Sequence, residues 1–85
     1  MNVRILPAAS DDVVEATAWI ELRSSLGDDF DAEFRRSVAA IGANPRLYGR
    51  TEDGPDEPEN RESYIARFKY RVIFAIWKHE AVIVA

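Results

Sequence analysis

Residues 61–85 read RESYIARFKYRVIFAIWKHEAVIVA, and this stretch decides the fold. From Ser63 to Lys78 it holds neither glycine nor proline, and its β-branched and aromatic residues favour strand. Sixteen residues exceed an ordinary strand, so a hairpin is expected where charges interrupt the apolar pattern, near Arg67 to Lys69. A second turn is expected at Lys78-His79-Glu80. Ala81 to Ala85 is apolar on both faces, as a central or covered strand would be.

Upstream, Asn2 to Leu6 alternates as a half-buried strand, and Pro7 ends it while suiting the first turn of a helix. Ala8 to Ser25 reads as that helix. Ala9, Val13, Ala16 and Ile20 form an apolar face that Trp19 widens. Asp11, Asp12 and Glu15 are expected near its N-terminus and Arg23 near its C-terminus, as the helix dipole favours. Gly27 suits a left-handed C-terminal position. Asp28 to Ile41 reads as a second helix with Asp28 as N-cap and a stripe of Phe30, Phe34, Val38 and Ile41, ended by Gly42 and Pro45. The short connection implies an antiparallel helical hairpin. Asn44 to Asn60 is loop. The expected fold is α+β in the order β-α-α-β-β-β, a helical hairpin on one face of a mainly antiparallel sheet.

The 85 residues make one domain of globular composition with a net charge of −4. No cysteine is present, so a disulfide frame and thiolate chemistry are excluded. MNVRILPAAS does not read as a signal peptide, and no apolar run is long enough for a membrane span. A soluble cytoplasmic protein without membrane contact is expected. The acidic balance speaks against specific DNA binding by the chain alone.

Charge is unevenly spread. Residues 51–62 carry six acids against one arginine, whereas 63–85 carry Arg67, Lys69, Arg71 and Lys78 against Glu80 alone. Two readings stand: a solvated loop beside ordinary strand charges, or a cationic site with an acidic flap. His79 sits in a turn without a catalytic set around it, and the acids of 52–62 do not match a calcium loop. No phosphate loop, metal site or cofactor fingerprint is present, so no cofactor and no metal are expected. Alternation after Lys69 puts Tyr70, Val72, Phe74 and Ile76 toward the helices. Lys69, Arg71, Ile73, Ala75 and Trp77 then face away, as a covered strand face or a docking surface.

Taken together, the strand and LPAA helix start, the LGDDF junction, the IGANPRLYG exit and RFKYRVIFAI resemble the ParE/RelE superfamily, the toxins of type II toxin–antitoxin modules. The resemblance covers nearly the whole chain. Family members carry a segment like RFPYRIVY, and Lys69 stands where proline is usual. The resemblance implies a toxin neutralised by a cognate antitoxin, which lays a helix and an extended segment over the toxin's helices and sheet. It implies either poisoning of DNA gyrase, as in the ParE branch, or cleavage of mRNA on the ribosome, as in the RelE branch. Arg71 matches the arginine with which RelE-type nucleases hold the scissile phosphate, a role suited to a guanidinium. Family members usually continue with a segment resembling VxHxRRxPxYW, whose arginine and general acid/base residues this sequence does not contain.

The expectation is therefore a non-catalytic toxin that binds a protein target through Arg67, Lys69 and Arg71 and its antitoxin through Trp19 and Trp77. The alternatives are a RelE-type endoribonuclease with Arg71 essential, or a truncated, non-toxic module that binds antitoxin.

Overall fold

The computed structural model describes residues 1–51 and 58–85. In chain order the elements are β1 (Asn2–Ile5), α1 (Pro7–Ser24), α2 (Gly27–Ala43), β2 (Asn60–Ile65), β3 (Tyr70–Trp77) and β4 (Glu80–Ile83), with single 3-10 turns at Pro45–Leu47 and Ala66–Phe68. The strands form one sheet in the order β1-β4-β3-β2. β1 runs parallel to β4, and the other two pairings are antiparallel. The α+β fold, its element order and the central place of the last strand agree with the sequence reading. The acids at 52–57 lie outside the described residues.

The core lies between α2 and the sheet. Phe34 and Ile41 of α2 meet Val72 and Phe74 of β3 and Ala81 and Ile83 of β4. The alternation expected for β3 holds: Val72 and Phe74 are fully buried beneath the helices. Phe30 is also fully buried and meets two rings edge-on, Phe68 at 5.3 Å and Tyr70 at 5.1 Å. It thereby ties the first turn of α2 to the turn between β2 and β3. Inside the same layer, the hydroxyls of Ser37 on α2 and Ser63 on β2 bond to each other at 2.9 Å, so neither is left unpaired by burial.

Both expected hairpin turns form. Lys69 takes the left-handed conformation at φ 53° after the 3-10 turn. Lys78 and His79 follow one another at φ 48° and 66°. Two left-handed residues in a two-residue loop give the turn whose twist matches paired strands. At the end of β4, Val84 N and Ala85 N both donate to Ile73 O, a bulge that continues the ladder past Ile83.

Two local expectations are corrected at the helix junction and one at the start of α1. The left-handed residue closing α1 is Ser25 (φ 60°), and Gly27 instead begins α2. A Cβ on Gly27 would stand 3.0 Å from Glu21 Cβ and 3.3 Å from Thr17 O, so glycine is there for close helix approach. Asp28 is not the N-cap: α2 starts one residue earlier after Leu26, and Asp28 and Asp29 fall in its first turn, still favourable to the dipole. The first turn of α1 holds no acid, because that helix begins at Pro7 and Asp11 and Asp12 come a turn later.

The loop after α2 is held by Arg61, which the sequence reading passed over. Its guanidinium donates to Tyr48 O at 2.5 Å and to Glu59 Oε1 at 2.6 Å. Arg61 holds the Glu59 carboxyl below the usual carboxylate range, chiefly through that hydrogen bond. Arg50 pairs with Arg61 in an isolated bridge, so the loop covers part of the outer edge of β2.

The Lys78-His79 turn supplies a direct check on this geometry. A left-handed non-glycine residue costs roughly 1–2 kcal/mol, part of which glycine gives back through its freer unfolded chain. His79→Gly is expected to raise stability by roughly 0.5–1 kcal/mol. Urea unfolding reads this as a higher midpoint at unchanged slope, and a lower midpoint would contradict the turn assigned here.

Candidate functional site

α1 is apolar on more than one side. Its inner residue Ala9 is fully buried, and it is the one residue of the helix that is. Val14, Ala18 and Leu22 recur every four residues on another side and are exposed, with Leu22 at 87%. A helix apolar around its circumference normally has neighbours on several sides. Here α2 supplies one, and the outer stripe is uncovered.

Between that helix and the end of the sheet runs an open groove of about 800 Å³. Ala16, Trp19 and Leu22 form its helical wall, and Tyr70, Arg71 and Ala85 form the sheet side. Asp12 and Glu15 lie along its lip. Trp19 is 59% exposed, with the Arg23 guanidinium 4.5 Å above its ring. The groove thus joins an apolar floor to an acidic lip, the make-up of a surface that takes an apolar segment carrying cations.

Tyr70 links this groove to the core. Its ring packs on Phe30 and its face toward the groove is part-buried. Burial pushes its phenol up from the ordinary value, and the negative charge of Asp12 adds to the effect.

Comparison with known protein families, curated proteins and solved structures finds no match to this chain.

The likeness to ParE and RelE toxins therefore rests on the sequence segments quoted above. Of the residues singled out there, the structure brings Arg71 and Trp19 to one groove. Trp77 stands at the opposite end of β3, on the sheet face away from the helices. Arg67 pairs with Asp29 at 2.9 Å and lies over the Phe68 ring, toward α2 rather than toward Arg71. Arg71 Nε donates to Glu62 Oε2 at 2.5 Å. Two of the three cations proposed for one site are thus paired within the chain. His79 is exposed in its turn. Among the described residues no cluster of three metal-ligating side chains forms, and no helix is long and apolar enough to cross a membrane.

Sequence reading missed the outer α1 stripe as a surface. The signal was present: Val14, Ala18 and Leu22 are spaced by four, but the stripe from Ala9 to Ile20 had already been assigned to the core.

An alkaline titration tests the Tyr70 environment. Phenolate absorbance is expected to show Tyr70 ionising above the ordinary phenol range. A phenol raised in the folded state favours folding fully below its unfolded pKa, and that contribution fades as pH rises through the folded value. Asp12→Asn should bring this ionisation back toward the ordinary phenol range. An unchanged titration in that variant would place Asp12 away from the ring.

Proposed function

We propose that this chain is the toxin component of a type II toxin–antitoxin module, of the ParE kind, acting by binding a protein target and neutralised by a cognate antitoxin. The observation that carries the reading is the groove beside α1, where Trp19 and Leu22 stand exposed above an apolar floor. A solvated helix has no need of that stripe, and a partner that covers it gains the burial, at about 25 cal/mol per Å² of apolar surface. The antitoxin is the occupant that this reading assigns to the groove. The β-α-α-β-β-β order and the family-like segments support the same reading.

The electrostatics favour protein binding over RNA cleavage. Arg71 is engaged by Glu62, so a phosphate has to displace a carboxylate to reach it. The lip of the groove is acidic at Asp12 and Glu15, which repels a polyanion. DNA gyrase is the target class that the ParE likeness assigns, and a cytoplasmic location goes with it.

Expression of the chain in a bacterial host is expected to arrest growth with supercoiling defects and intact mRNA, and co-expression of the small protein encoded beside it should relieve the arrest. Leu22→Glu should weaken binding of that protein at least tenfold, about 1.4 kcal/mol, so that relief fails. Arg71→Ala should weaken the arrest at most, with mRNA intact in both proteins. Cleaved mRNA ends that vanish with Arg71→Ala would instead make the chain a RelE-type nuclease, and antitoxin binding without arrest would make it a sequestering module.

A further inference from the structure

The groove wall on α1 is graded in charge. Asp12, Glu15, Trp19 and Leu22 follow one another at intervals of three, four and three, so they stand in one row along the helix. The row begins with two exposed carboxylates and ends with two exposed apolar side chains. Asp12 and Trp19 are two turns apart, about 10 Å. At the apolar end the Arg23 guanidinium lies over the Trp19 ring.

The two carboxylates are unbalanced within the chain. Elsewhere on the surface Asp29, Asp31, Glu33, Glu59, Glu62 and Glu80 each pair with an arginine. Among the described residues Asp12 and Glu15 pair with none. Arg71, on the sheet side of the groove, is engaged by Glu62 and so brings little free positive charge. The helix dipole does not account for the two acids either. α1 begins at Pro7, so both lie past its first turn, where the field of the helix end has faded. Their charge reaches the groove floor: the Tyr70 phenol is pushed up chiefly by burial and further by Asp12.

We propose that the antitoxin segment seated in this groove is basic. It sets apolar side chains on Trp19 and Leu22, and a lysine or arginine about 10 Å further along against Asp12 and Glu15. That distance suits residues seven apart on a helix or three apart on a strand. Arg23 repels a cation at the apolar end, so the partner's charge and its apolar anchors are separated. An acidic segment would set like charges together at Asp12 and Glu15. Complementarity of this kind fixes the register of the partner and selects against wrong ones. The inference rests on the reading of the groove as the antitoxin's seat, and it adds the chemistry of the occupant.

Peptide probes test it on the full chain. With Trp77→Phe, emission reports on Trp19 alone, because the sequence holds two tryptophans. The probes are two synthetic helical peptides with the same leucines, one carrying lysine and the other glutamate seven residues away. The lysine peptide is expected to shift Trp19 emission to the blue and to bind at least tenfold tighter than the glutamate peptide. Asp12→Asn with Glu15→Gln should abolish that preference, and Leu22→Ser should weaken the lysine peptide several-fold. Both acids and Leu22 are exposed, so these substitutions leave the core intact. Equal binding, a preference for glutamate, a lysine preference that survives the neutral pair, or no binding up to about 1 mM would overturn the proposal.

The growth assay separates this failure from that of the toxin reading. A chain that arrests growth and is relieved by its neighbour, yet prefers the glutamate peptide, keeps the reading and loses the basic segment. A lysine preference in a chain that arrests nothing and binds no neighbouring protein would remove the antitoxin as occupant and overturn both.

Discussion

Phe30 meeting Phe68 and Tyr70 edge-on is the contact on which the arrangement of the other elements depends. The helical hairpin reaches the sheet through α2. At its far end Ile41 enters the core, and at its near end Phe30 does. Edge-to-face rings contribute about 0.5–1.5 kcal/mol per pair beyond their buried area, so three rings in one cluster form a firm anchor in a domain with few core residues to spare. That anchor also fixes the turn between β2 and β3, and with it the place of Tyr70 and Arg71 at the mouth of the groove.

With α2 held this way, α1 becomes the outer helix. It leans on α2 through the tight junction at Gly27 and sinks Ala9 into the core. Its residues Ala16, Trp19 and Leu22 form the helical wall of the groove. The same packing that completes the core therefore leaves an apolar stripe outside it. Structure and proposed function meet at this point: Trp19 and Leu22 stand exposed on the stripe that the proposed reading assigns to the antitoxin.

Much of the fold was legible in the residues. The interruption of RFKYRVIFAI by charges located the first hairpin, and the polar pair Lys78-His79 located the second, because turns need residues that strands do not. Even-numbered residues of β3 went to the core because alternation has a period of two and one face is buried. The helix junction was less legible. Ser25 and Gly27 compete for the left-handed position, and the winner is decided by how closely Glu21 approaches Gly27, a contact between helices that local preference does not contain. Arg61 was lost in an acidic run, although it is the residue that gathers Tyr48 and Glu59. The candidate site was half legible: Arg71 and Trp19 share a groove, whereas Trp77 belongs to the other face and the other end of β3. Helical periodicity finds a buried stripe, but it does not tell which of two stripes on α1 the core will take.

The central claim is that α2 and the sheet form the stable body and that the second half of α1, exposed at Trp19 and Leu22, is its less protected part. Native-state hydrogen exchange measures this residue by residue. Amides of β3, β4 and the middle of α2 should exchange only through global unfolding, while those from Trp19 to Ser24 should exchange through a smaller local opening. Equal protection of α1 and α2 along their whole lengths would contradict the account.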